Sequence, residues 1–132
     1  MLDGAGQPEI EGVSTTALSP FDTHAEAVLA ADALVLLTTE NLGYMSGALK
    51  DFFDRCYYDL LDRTDGLPYA LLVRAGHDGT GTCRAVAGIT SGLRWKAVQE
   101  PVVCRGGWDD AFIERALDLG AVMATGLETG IF

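Results

Sequence analysis

Histidine and cysteine are scarce in this chain of 132 residues, and neither is arranged for metal binding. There are only two histidines, His24 and His77, which argues against a multi-histidine metal site. The three cysteines, Cys56, Cys83 and Cys104, lack the short spacings of zinc sites and redox pairs. An odd number of cysteines behind an N-terminus without a signal-peptide pattern predicts reduced thiols and a cytoplasmic protein.

Basic residues are also few. Nine Lys and Arg stand against 19 Asp and Glu, which leaves a formal net charge of −10 at pH 7. Such a surface repels nucleic-acid phosphates and anionic lipid headgroups, and no apolar run approaches the ~20 residues of a membrane span. We therefore expect neither nucleic acid nor membrane as a partner. A small anionic ligand remains compatible with this charge, because backbone N–H groups bind anions without basic side chains.

Apolar residues make up 48% of the chain, which is ample for one packed core. The length predicts a single domain over residues 1–132, with the polar, Gly-rich residues 1–12 irregular. Hydrophobic patterns predict strands at residues 13–18, 33–38, 69–73 and 95–104, with helices between and after them. This alternation predicts an α/β fold with a doubly wound, mainly parallel sheet. Pro101 places the last strand at the sheet edge.

The most informative stretch is residues 38–54, TTENLGYMSGALKDFFD. It follows an apolar strand and contains a Gly-bearing turn, after which a helix begins with Ser46 as its N-cap. Leu49, Phe52 and Phe53 recur at helical spacing and predict one buried face. A loop between a parallel strand and its helix lies at the carboxyl edge of the sheet, where open α/β folds bind ligands.

Glu40 to Arg55, ENLGYMSGALKDFFDR, resembles the flavodoxin-like NAD(P)H-dependent oxidoreductases, which include flavodoxins and quinone reductases related to the tryptophan-repressor-binding protein. The family pattern is GTPxxxGxMSGxLKxFxDR. The strand and loop LPYALLVRAGHDGTG and the strand near QEPVVCRG also fit. Leu37 and Thr39 depart from the pattern, because the family has Gly and Pro there.

The resemblance implies a five-stranded parallel sheet in the order 2-1-3-4-5, with FMN bound between strands one and three. The turn of residues 39–45 would then lie along the flavin ring, and the loop of residues 76–81 would flank its other edge. Gly43 suits close backbone approach, and Tyr44 and Met45 suit packing on a ring. No catalytic side chain and no metal ligand is assigned. The implied cofactor-binding residues are Thr38, Thr39, Glu40, Asn41, Leu42, Gly43, Tyr44, Met45, Gly76, His77, Asp78, Gly79, Thr80 and Gly81.

The implied function is that of an FMN-dependent NAD(P)H oxidoreductase, which passes electrons from a nicotinamide cofactor through flavin to a quinone or a similar small acceptor. Self-association into a homo-oligomer is also common in such proteins. Two alternatives remain open: a flavodoxin-like electron carrier, and a cofactor-free interaction module.

One family element has no counterpart here. The family opens with an apolar strand and a Ser/Thr/Gly-rich loop that wraps the FMN phosphate, and nothing before Val13 resembles them. We therefore expect an N-terminally incomplete domain, either a clipped version or a degenerate paralogue. FMN binding should be weakened, because backbone donors around the phosphate contribute much of the affinity for a flavin nucleotide.

Overall fold

The computed structural model describes all residues from Met1 to Phe132. They form two compact units, one of residues 18–106 and one that joins residues 1–17 to residues 107–132. The prediction of a single domain stays a prediction. The helices are α1 (Leu2–Ala5), α2 (Ala25–Leu29), α3 (Gly47–Leu60), α4 (Thr80–Gly92) and α5 (Ala111–Thr129), and the strands are β1 (Leu34–Asn41), β2 (Tyr44–Met45), β3 (Pro68–Ala75), β4 (Lys96–Ala97) and β5 (Val102–Arg105).

The larger unit contains a mixed, mostly parallel sheet. Strand β1 runs parallel to β3, with Leu34 opposite Tyr69 and Thr39 opposite Arg74. The other edge of β3 pairs in parallel with β4 and then with β5, while β2 folds back antiparallel on the end of β1. The predicted α/β class with a mainly parallel sheet is confirmed. The loops after β1, β3 and β5 therefore leave the sheet at one edge.

Strand β3 is the central strand, and its five consecutive residues 69–73 are all buried. A continuous apolar run is expected where a parallel strand is covered on both faces. The predicted strand over residues 95–104 is interrupted: β4 and β5 are separate, and Pro101 lies in the gap between them. Proline lacks the backbone N–H that strand pairing needs. Pro101 therefore accounts both for the break between β4 and β5 and for the position of β5 at the edge of the sheet.

The strand predicted at residues 13–18 is wrong, because these residues belong to no strand or helix. Residues 14–17 are exposed, and their small or polar side chains offer little apolar area to bury against a sheet. Within residues 1–12, predicted to be irregular, α1 is one helical turn that packs on α5, where Gly4 lies against Leu117. No strand precedes β1, and residues 34–39 of β1 pair only with β3.

The core of the larger unit forms around α3, which begins directly after its predicted N-cap, Ser46. The Ser46 hydroxyl accepts a hydrogen bond from the Leu49 N–H at 3.2 Å, as expected of an N-cap. The Phe53 ring is buried, and its centroid lies 6.3 Å from that of Trp95. The Trp95 indole N–H in turn donates to the Thr64 hydroxyl at 2.8 Å, so the buried donor is satisfied.

No helix of the protein combines the length and apolar character required to cross a bilayer.

Candidate functional site

The loop that follows β1 is a tight β-hairpin. Strand β1 continues to Asn41, which pairs with Tyr44 across a two-residue turn. Both turn residues have positive φ, 53° at Leu42 and 72° at Gly43, which is the signature of a type I′ turn. The hairpin carries the Leu42 side chain fully into solvent.

Threonine and methionine side chains anchor this hairpin to the rest of the unit. Thr38 is buried, and its hydroxyl accepts a hydrogen bond from the Ser46 N–H at 2.9 Å, which places the start of α3 beside the end of β1. Met45 is 2% exposed and belongs to the hydrophobic core. Tyr44 is 39% exposed, so its ring is the aromatic surface that the hairpin offers to a ligand.

The loop of residues 76–79 after β3 is bonded to the hairpin by one side chain. The two carboxylate oxygens of Glu40 accept the N–H of His77 at 2.7 Å and the N–H of Gly79 at 2.8 Å. Hydrogen bonds to an ionised carboxylate are roughly twice as strong as neutral ones. Residues that are 37 and 39 positions apart in the chain are thereby held together at the carboxyl edge of the sheet.

A second contact lies at the first turn of α4. The Thr82 hydroxyl is fully buried and donates to the Tyr44 carbonyl at 3.0 Å. The Gly81 backbone packs directly on the Gly43 carbonyl oxygen, so that a Cβ at residue 81 would overlap it. Glycine at residue 81 is therefore what allows α4 to approach the hairpin this closely.

An open cleft of about 460 Å³ lies beside this junction, between loop 76–79 and the end of β5. Gly76, His77, Asp78, Arg105 and Gly106 line it. The Thr80 N–H donates to the Asp78 carboxylate at 3.0 Å. This bond, a second one with the Thr80 side chain and the nearby charge of Arg105 lower the pKa of Asp78 below its ordinary value. The cleft therefore presents a carboxylate and a guanidinium side by side.

Arg74 stabilises the side of this cleft that is formed by the end of β5. Its guanidinium donates to the carbonyls of Ala75 at 2.9 Å, Cys104 at 3.1 Å and Gly106 at 2.7 Å. The planar fork of donors suits several carbonyls at once. The ends of β3 and β5 are therefore joined by one charged side chain, as the hairpin and loop 76–79 are joined by Glu40.

Cys83, in the first turn of α4, is partly buried, and burial is the main cause that raises its pKa. The charges of Glu40 and Asp78 raise it further. A helix N-terminus favours a thiolate, but here burial and two carboxylates outweigh it. Its raised pKa therefore disfavours the thiolate form of Cys83.

This arrangement predicts the effect of Glu40→Gln on Cys83. Removing the carboxylate charge should lower the Cys83 pKa and raise its alkylation rate by iodoacetamide about two- to fivefold near pH 8. Mass spectrometry of the labelled peptide measures the rate, with the buried Cys104 as an internal control. Equal alkylation rates in the two proteins would show that Glu40 does not act on this thiol.

The structure brings the two predicted groups of site residues, 38–45 and 76–81, into contact with each other. Their role in cofactor binding stays a prediction. Sequence reasoning did not assign Arg74, Arg105 or Gly106 to the site. A charged residue at the carboxyl end of a strand is a signal that would have found both arginines. No group of three or more His, Cys, Asp or Glu side chains is placed to hold a metal ion.

No protein-family model matches this chain, and no curated protein sequence matches it. Solved structures do match. A flavodoxin, the WrbA-like protein from Agrobacterium tumefaciens, superposes with a TM-score of 0.62 at 16% identity, over 76% of this chain and 68% of that one. An oxidoreductase from Corynebacterium diphtheriae superposes with a TM-score of 0.60 at 24% identity, over 80% of this chain and 60% of that one.

The chain has a flavodoxin-like fold. The resemblance inferred from residues 40–55 is thus confirmed at the level of the fold. Both matched proteins are longer, and this chain spans about two thirds of the first and 60% of the second. In a flavodoxin-like sheet the loops after neighbouring strands form the ligand-binding edge, and these are the loops that Glu40 joins.

Proposed function

We propose that this chain is an FMN-dependent NAD(P)H oxidoreductase of the quinone- or flavin-reductase type. The observation that carries the proposal is the carboxyl edge of the sheet, where the hairpin after β1, with its tight turn at Gly43 and its partly exposed Tyr44 ring, adjoins loop 76–79. The flavodoxin-like fold and the motif MSGALKDFFDR support it.

The residues at this junction fit the ring of a flavin. A flavin ring needs backbone placed close to its edge and an apolar or aromatic side chain against its face. The type I′ turn brings backbone to the surface at Gly43, and the Tyr44 ring is partly exposed beside it.

When bound, FMN supplies the hydride and one-electron chemistry that protein side chains lack. In this chain the hairpin and loop 76–79 would hold the ring, while Arg74 and Glu40 keep the backbone around it in place. Arg105 and Asp78 line the open cleft, where a guanidinium suits an anionic group and a carboxylate suits hydroxyl donors. A nicotinamide nucleotide has both kinds of partner, because it carries anionic phosphates and ribose hydroxyls.

The experiment that tests the proposal compares two flavins. We expect FMN to bind and to exceed riboflavin in affinity by less than about tenfold, because residues 1–33 form no strand whose following loop could hold the phosphate. Quenching of flavin fluorescence measures both affinities. Oxidation of NADPH with a quinone acceptor, followed by absorbance with and without added FMN, then tests the oxidoreductase activity.

The outcomes separate the candidate functions. NADPH oxidation that requires both FMN and quinone supports the enzyme. Flavin binding without NADPH oxidation supports an electron carrier instead. If neither flavin binds, the chain is a cofactor-free module, and one observation favours that alternative: the backbone donors of loop 76–79 are bonded to a side chain of the same chain.

A further inference from the structure

Glu40 occupies an unusual place for a charged residue. It lies near the end of β1, is only partly exposed, and has both carboxylate oxygens engaged with backbone N–H groups of another loop. A carboxylate that accepts two charge-assisted hydrogen bonds at 2.7 and 2.8 Å is held in one orientation. The side chain therefore determines where the bonded loop lies.

Loop 76–79 has no other bond to the hairpin. The Thr80 N–H is bonded within the loop region to Asp78, and the Thr82 hydroxyl reaches Tyr44 from the first turn of α4, beyond the loop. On its other side, the strand end before the loop is tied to the β5 turn through the Gly106 N–H and the Ala75 carbonyl at 2.9 Å. Without Glu40, the N–H groups of His77 and Gly79 lose their partner. For Gly79 this loss is costly, because the residue is buried.

We propose that Glu40 is a positioning residue of the site: its carboxylate fixes loop 76–79 against the hairpin and so sets the spacing of the two walls that flank a bound flavin. The part of this inference that concerns flavin rests on the proposed function above. The part that concerns the loop does not, because it follows from the ligand-free geometry.

Amide hydrogen exchange in the ligand-free protein tests the loop directly. In Glu40→Gln one amide oxygen can still accept, but the side-chain NH₂ cannot accept the second N–H. We expect at least one of the amides of His77 and Gly79 to exchange about tenfold faster in Glu40→Gln, and both in Glu40→Ala, since a hydrogen bond to a charged group is lost. The amides of buried β3 residues such as Leu72 should keep their rates.

The control is Glu26→Gln, which removes an equal charge from an exposed glutamate of α2. It should leave the exchange of His77 and Gly79 unchanged, and the melting temperature should distinguish local loosening from loss of the fold. Unchanged exchange at these two amides in both Glu40 variants overturns the proposal.

A flavin titration then tests the positioning role. If the unmodified protein binds flavin, Glu40→Gln should bind it about tenfold more weakly and with an altered flavin absorption spectrum, while Glu26→Gln binds it normally. Equal flavin affinity in Glu40→Gln, with the loop loosened, overturns the positioning role. If the unmodified protein binds no flavin, the proposed function fails, and the exchange rates still decide whether Glu40 fixes the loop.

Discussion

Replacing Gly81 with alanine is expected to separate α4 from the hairpin and, if the chain binds flavin as proposed, to abolish that binding. The new Cβ would overlap the Gly43 carbonyl oxygen, and that neighbour is backbone, which cannot rotate away as a side chain can. Either α4 or the hairpin must move, which costs about 3 kcal/mol, at the upper end of the range for overpacking. Chemical denaturation measures the loss of stability, and flavin fluorescence measures the loss of binding.

The same helix supplies the control. Gly88 lies in α4 with open space where its Cβ would be, and its φ is not positive. Gly88→Ala should therefore stabilise the protein by up to about 1 kcal/mol through helix propensity and leave flavin binding unchanged. If Gly81→Ala were as stable as Gly88→Ala and bound flavin equally well, the contact between α4 and the hairpin would not exist in solution.

The second large effect is expected from Phe53→Ala, which should lower the free energy of unfolding by about 3–5 kcal/mol. The Phe53 ring is 2% exposed and lies between Phe52, at a centroid distance of 5.2 Å, and Trp95, at 6.3 Å. Its removal leaves a cavity that neither neighbour can fill without leaving its own contacts. For many domains of this size, a loss of that magnitude is a large part of the total stability.

Tyr58→Ala is the matched control, because Tyr58 is an aromatic residue of the same helix but is 83% exposed. Its replacement should change the free energy of unfolding by no more than about 0.5 kcal/mol. Urea unfolding of the two variants under identical conditions gives both values. Similar losses in the two variants would mean that α3 does not bury the face described here.

The sequence predicted α3 well because three local signals agree there. Ser46 is a favourable N-cap, the apolar residues recur with helical spacing, and Asp51 and Arg55 have the spacing of a helix ion pair, which the structure shows at 2.7 Å. The central strand β3 was predicted for a similar reason, because the short apolar run of residues 69–73, preceded by Gly66 and Pro68, is typical of a buried strand.

The sequence-based predictions were wrong or incomplete where the structure depends on contacts between segments that are distant in the chain. Residues 13–18 alternate weakly like a strand, yet a strand forms only if a partner edge receives it. The β1–β2 hairpin was predicted only as a Gly-bearing turn, because Leu42 is an unusual residue for positive φ. The partners of Glu40 lie 37 and 39 residues away, so no local pattern could reveal them.

The sequence by itself determined the elements around the site: the α/β class, the apolar strand that ends at the hairpin, the capped helix α3, and the two loops that a ligand would meet. Their identity follows from periodicity, capping and turn residues, which act over a few residues. Tertiary structure alone decided how those loops meet, through the Glu40 carboxylate, the Gly81 backbone and the three carbonyls held by Arg74. Such contacts join segments distant in the chain, and their geometry exists only once the sheet has set the register of its strands.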